Sequence, residues 1–168
     1  QLRGTEMMPF REAIAGDVAA VMTAHVLYPA LDEEQPATLS RGIIQDILRD
    51  EFGFQGLIVS DDLEMGAIVE TRTVAQAAVG ALSAGCDTLL VCGESVDQHA
   101  TVIEGVIHAV ERGELTETCL EAALVRQRRV KARFLGGQRS RRPLTGEALR
   151  ERLGTSAHQA VADEIVRA

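Results

Sequence analysis

Tryptophan is absent from the 168 residues, and aromatic side chains make up only 3% of them. The core therefore has to be aliphatic, built from Ala, Val, Leu and Ile, which is how packed α/β layers read. No run of 18 or more apolar residues occurs, so neither a spanning helix nor a membrane partner is expected. The opening QLRGTEMMPFREA lacks the basic-then-apolar order of a secretory leader. It also starts without Met, in what reads as the interior of a helix, so an upstream continuation is expected. Cysteine is scarce: three residues, with no CxxC or Cys/His cluster, so no metal is expected. Cys86 and Cys92 lie on one apparent strand, roughly 20 Å apart if extended, too far to pair. All three thiols read as buried packing residues, and unpaired thiols lean towards a reducing, cytoplasmic location.

Basic charge is also scarce at the front. Residues 1–125 carry 6 Lys+Arg against 21 Asp+Glu, whereas residues 126–152 carry 10 against 2. A basic run can bind nucleic acid, but this one has no interleaved aromatics, and five of its charges close a helix, where cations suit the dipole. It reads as a solvated helix end, and no nucleic-acid partner is expected.

What is present is 46% apolar residues, enough for one core. Three apolar runs, Ala19–Val26, Gly56–Ser60 and Cys86–Cys92, are continuous rather than alternating, the mark of parallel strands covered on both faces. Helix patterns lie between them. Ser40 can cap a helix presenting Ile43, Ile44, Ile47 and Leu48, with Gly53 after its end. Thr73 and Gln76 form a capping box before a helix ending near Gly85. Ser95 and Gln98 repeat it before a helix presenting Val102, Ile103, Val106, Ile107 and Val110, stopped by Gly113. A last helix over Glu117–Leu135 offers Leu120, Leu124 and Phe134. Strict alternation predicts a parallel sheet with right-handed crossovers. Three strands make a poor free-standing sheet, so further strands are expected elsewhere. The Gly- and Arg-rich stretch after Gly136 reads as a linker before a helix starting at Thr155 or Ser156.

Polar residues at the carboxyl ends of parallel strands form the site in such folds. The first strand ends at Thr23, His25 and Tyr28, the second at Ser60, Asp61, Asp62 and Glu64, and the third at Gly93 and Glu94. Three carboxylates within four residues repel one another unless a substrate, a cation or hydrogen-bond donors offset the charge. Capping and solvation explain such a cluster as well as function does, and spacing alone leaves both open.

The segments VMTAHVLYPALD, PATLSR, LRDEFGFQGLIVSDDLEMGAI and AGCDTLLVCG together resemble glycoside hydrolase family 3, most closely its β-N-acetylhexosaminidase branch. The resemblance covers about residues 5–135. It implies an α/β fold, the second half of a (β/α)₈ TIM-type barrel with parallel strands and flanking helices over residues 1–135, followed by a linker and exit helix over 136–168. It also implies a retaining hydrolase that removes terminal β-linked N-acetylglucosamine, in peptidoglycan-fragment turnover, through a covalent glycosyl-enzyme. The nucleophile's role then falls on Asp61, the first Asp of SDD, with donors or cations expected around it. Asp62 and Glu64 become supporting or capping groups. His25 is expected to line the sugar pocket and to act on substrate affinity. Met65 is open between packing beneath the sugar and packing in the core. His99, His108 and His158 are given no chemistry, and no organic cofactor is implied.

The branch's proton donor resembles a His supported by an Asp in a KHFPGHG-like loop, and no such segment occurs in this chain. Alone, the chain is therefore expected to lack glycosidase activity and to self-associate through open strand edges. A β-glucosidase-like or phosphorylase member, and a non-catalytic barrel-fragment scaffold, remain the rival readings.

Overall fold

The computed structural model describes residues 2–135 and 145–167. Packing divides the chain into two compact units, Gln1–Lys131 and Ala132–Ala168.

The first unit holds the α/β layers. A 3₁₀ turn, Leu2–Gly4, and helix α1, Met8–Ala15, lead into strand β1, Ala20–Met22. After a buried 3₁₀ turn, Ala37–Leu39, and a wide helix, Gly42–Glu51, comes β2, Leu57–Asp62. Helices α2, Gly66–Val69, and α3, Val74–Ala84, precede β3, Thr88–Leu90; α4, Val96–Glu111, and α5, Glu117–Leu135, follow. The strands form one parallel sheet in the order β1-β2-β3, with Ala20 opposite Leu57 and Val59 opposite Thr88. Parallel strands joined by helical crossovers are the arrangement of a (β/α)₈ barrel segment, as expected. Among the described residues β1 and β3 each pair only with β2, so both outer edges are open.

The core lies on one side of the sheet. Ile58 and Leu63 join Leu39, Ile44, Phe54, Ile68 and the small residues Ala77, Ala78 and Ala81 of α3 in one buried cluster. Small residues let α3 come close to its neighbours: a Cβ on Gly105 of α4 would lie 2.8 Å from that of Ala75. The capping box of α3 is complete, Gln76 N–H to Thr73 and Thr73 N–H to Gln76, and Gly85 ends the helix at φ +115°.

Several boundaries differ from expectation. β1 and β3 have only three residues each, whereas β2 continues through both aspartates. The helix capped by Ser40 is wider than an α-helix, closing Phe52 N–H on Ile47 C=O. An α-helix turns about 100° per residue, which would set Ile44 and Arg49 on different faces; five-residue closure stacks them, and both are buried. On α4, Ile103 and Ile107 are exposed, because Val102, Val106 and Ala109 take the packed face. On α5, Leu124 and Phe134 are exposed too, and Ala123 is the buried residue. The basic run is not wholly solvated either, since Arg126 reaches Asp87.

Asp87, fully buried at the entry to β3, accounts for the placement of Arg49 and Arg126. Its Oδ2 accepts from Arg49 Nη2 at 2.5 Å and from Ile58 N–H at 2.8 Å, and its Oδ1 accepts from Arg126 Nε at 2.6 Å. Arg49 uses its other nitrogen to donate to the carbonyls of Phe54 and Gly56. Gln127 donates to the Asp87 carbonyl and the Thr88 hydroxyl.

In the second unit, α6 spans Gly146–Arg150 and α7 spans Ser156–Arg167, the latter as expected; neither has a buried residue. Of the linker expected over 136–154, residues 136–144 lie outside the described residues, and α6 is a short helix where a loop was expected.

Removing one partner of a buried pair leaves the other charge uncompensated. Asp87→Ala is therefore expected to lower stability by about 3–5 kcal/mol, read from urea unfolding. A loss below about 1 kcal/mol, the range of exposed pairs, would contradict this account.

Candidate active site

Strand β2 carries the site because its end is irregular. Val59 pairs with Thr88 and Asp62 with Leu90, so three steps on β2 match two on β3. The extra residue is a bulge at Ser60–Asp61, a device that re-aims a side chain. Ser60 turns into the core, and its hydroxyl accepts the Leu90 N–H at 2.9 Å, replacing a ladder bond lost at the bulge. Ile58 and Ser60 are buried; Leu57, Val59 and Asp61 alternate with them along the strand and are each only half-buried.

Backbone donors reconcile the three clustered carboxylates. Asp61 Oδ1 accepts the Asp62 N–H at 2.8 Å, and Asp62 Oδ1 accepts the Glu64 N–H at 3.2 Å and the Cys92 N–H at 3.1 Å. Glu64 Oε2 accepts the Gly93 N–H, and any side chain at Gly93 would collide with it. Asp62 and Glu64 therefore tie the end of β2 to the loop after β3. Asp61 Oδ2 accepts no hydrogen bond from a described residue.

His25 stands beside this cluster, in the loop after β1. Its Nδ1 lies 2.9 Å from Thr38 Oγ1 and its Nε2 2.8 Å from the Asp62 carbonyl oxygen. Thr38 is fully buried and also contacts Thr23 Oγ1 at 2.8 Å. Thr38 was not singled out by the sequence; a Thr placed to be buried is the signal that marks it, because a buried hydroxyl requires a partner. Met65 is 45% exposed at the start of α2, so it is not core. His99 Nε2 is 3.2 Å from the Val91 carbonyl, a packing bond.

The thiols do not behave alike. Cys86 is buried, and burial, then the neighbouring Asp87, push its thiol up to about 12. Cys92 is exposed, contrary to expectation, because β3 ends before it. Its thiol is raised by desolvation and by Asp62, Glu64 and Asp61 nearby. Among the described residues no group of three or more His, Cys, Asp or Glu is arranged to hold a metal. An apolar groove of about 200 Å³ lies beyond β1, lined by Phe10, Val21, Met22, Ile43, Ile47 and Phe52. It includes neither Asp61 nor His25, so the chemistry is not there.

Residues 1–130 match the family model described as the glycosyl hydrolase family 3 N-terminal domain. The chain belongs to glycosyl hydrolase family 3. One relative, a β-hexosaminidase of Stenotrophomonas maltophilia (strain K279a), is 40% identical over 120 residues, which cover 71% of the chain and 34% of the relative. The chain thus spans about a third of that protein's length. The family 3 β-N-acetylglucosaminidase from Paenibacillus sp. str. FPU-7 superposes with a TM-score of 0.80 at 36% identity, covering 95% of this chain and 30% of that one. The β-glucoside phosphorylase BglX superposes at 0.76 with 26% identity, over 93% of this chain and 29% of its own.

A thiol reacts as its thiolate, and only when reached. Iodoacetamide at about pH 8 is expected to label Cys92 first and to spare Cys86 until the protein unfolds. Mass spectrometry of the digested protein checks this. Early labelling of Cys86 would mean that the α3–β3 packing is looser than described.

Proposed function

We propose that Asp61 is the nucleophile of a retaining β-N-acetylhexosaminidase. The observation that carries this is the bulged carboxyl end of β2, where Asp61 is only half-buried and has one oxygen held by a backbone N–H. That oxygen is oriented while the other remains available to attack. In the proposed first step Oδ2 attacks the anomeric carbon, and the glycosidic carbon–oxygen bond breaks as a glycosyl ester forms; the departing oxygen takes a proton from an acid. Water then cleaves the ester and regenerates the carboxylate. Asp62 and Glu64 are assigned to the support of this strand end. Met65, exposed beside it, is proposed to pack against the sugar.

Terminal β-linked N-acetylglucosamine is the proposed substrate, supported by the names of the relatives, and peptidoglycan-fragment turnover the proposed setting. A cytoplasmic location is proposed from the three free thiols. The likeness to a β-glucoside phosphorylase supports a second reading, in which phosphate rather than water accepts the glycosyl group.

In the complete natural protein, Asp61→Asn is expected to remove most turnover of an aryl β-N-acetylglucosaminide, since an amide cannot attack as a carboxylate does. Steady-state kinetics measure it; activity within about tenfold of the parent, only about 1.4 kcal/mol of barrier, would sink the assignment. Formation of a sugar phosphate in phosphate buffer would favour the second reading. Residues 1–168 alone are expected to show background turnover and, by light scattering, dimers or larger species formed through the open edges of β1 and β3. Robust turnover by a monomer would show that the chain carries its own proton donor.

A further inference from the structure

We propose that His25 is a positioning residue that aims Asp61 by gripping the Asp62 carbonyl, in place of the sugar contact expected from sequence. The inference rests on the reading of Asp61 as nucleophile.

The carbonyl at the end of this chain of contacts fixes one hydrogen bond, and with a neutral ring the others follow from it. A backbone carbonyl can only accept, so the 2.8 Å contact from His25 Nε2 to the Asp62 oxygen puts the proton on Nε2. In the neutral ring Nδ1 is then an acceptor, and the Thr38 hydroxyl, 2.9 Å away, donates to it. That hydroxyl has spent its one proton, so at 2.8 Å it accepts from Thr23. The path runs one way: Thr23 to Thr38, Thr38 to His25, His25 to the Asp62 carbonyl. Both ring nitrogens are used inside the protein, leaving no polar atom of the ring for a sugar hydroxyl.

The base of the path is firm and its far end needs support. Thr38 sits in a 3₁₀ turn whose three residues are all buried, and its carbonyl faces the Cys86 thiol at 3.8 Å. At the far end the bulge has removed regular ladder bonds from β2. Asp62 is held instead by its carbonyl, which receives His25 Nε2–H and the Met65 N–H, and by its carboxylate, which receives two further N–H groups. With that residue fixed, its own N–H points at Asp61 Oδ1. Loss of His25 removes one of these four hydrogen bonds and so loosens the residue whose N–H orients the nucleophile. A misplacement of about 1 Å can cost on the order of a hundredfold in rate without weakening substrate binding in proportion.

The test uses the complete natural protein. His25→Ala is expected to lower kcat by about a hundredfold with KM within about threefold of the parent. His25→Gln, whose amide N–H can reach the same carbonyl, is expected to recover kcat to within about tenfold. A rise in KM with kcat unchanged, or a Gln variant no better than Ala, would overturn the proposal in favour of a sugar contact or simple packing. Should His25→Ala fail to fold, imidazole ¹⁵N spectra of the histidine-labelled parent decide, with the His25 signal assigned by its loss in His25→Gln. A proton on Nε2 with Nδ1 unprotonated is expected; the opposite tautomer would overturn the proposal. An active Asp61→Asn variant would instead refute the nucleophile assignment, whatever the tautomer of His25.

Discussion

One buried carboxylate holds the unit together. Asp87 accepts from Arg49 on the wide helix, from the backbone of β2 at Ile58 and from Arg126 on α5, while its own chain is the entry to β3. A buried charge is stable only when paired and fully hydrogen-bonded, so these elements come together around it or the charge is left exposed to a low-dielectric core. The register of β2 against β3 is thereby fixed at its beginning. Everything at the other end of β2, including the bulge, the three acids and the loop after β3, is measured from that fixed point. The five-residue closure of the wide helix follows from the same demand, because it brings Arg49 onto the face of Ile44.

At the opposite end the physical problem is reversed. Asp61, Asp62 and Glu64 crowd negative charge at the end of the strand, and backbone N–H groups rather than cations are what the described residues supply against it. Two of the acids serve structure: they staple β2 to the loop at Cys92 and Gly93. The third, Asp61, is held by one oxygen only. Division of labour within a short acidic run is thus written in the hydrogen bonds rather than in the residue types.

Much of the fold was legible because its signals are local. Thr73 and Gln76 are three residues apart and form the capping box that their spacing predicts, and Gly53, Gly85 and Gly113 take the positive φ expected where their helices end. The three continuous apolar runs mark the three parallel strands. Their limits were not legible: β2 continues through Asp61 and Asp62, residues of poor strand propensity, because Asp62 keeps a place opposite Leu90. Nor was the role of Asp87, whose partners Arg49 and Arg126 lie 38 and 39 residues away. Ile103 and Ile107 fit the helical period, yet the packed stripe of α4 passes through Val102, Val106 and Ala109 and leaves them outside. Of the site, the carboxylate cluster was visible in the sequence and its bulge was not, since a bulge is a relation between two strands.

The central claim is that Asp61 forms a covalent bond to the sugar. An activated fluorosugar of the N-acetylglucosamine series needs no proton to release its leaving group and yields a slowly hydrolysed glycosyl-enzyme, so it isolates the nucleophile from the acid. Incubated with the complete natural protein and followed by proteolysis and mass spectrometry, it should leave one sugar on the peptide containing Ser60–Glu64, with fragmentation placing it on Asp61. A label on any other carboxylate, or turnover of the compound with no label at all, would contradict the account.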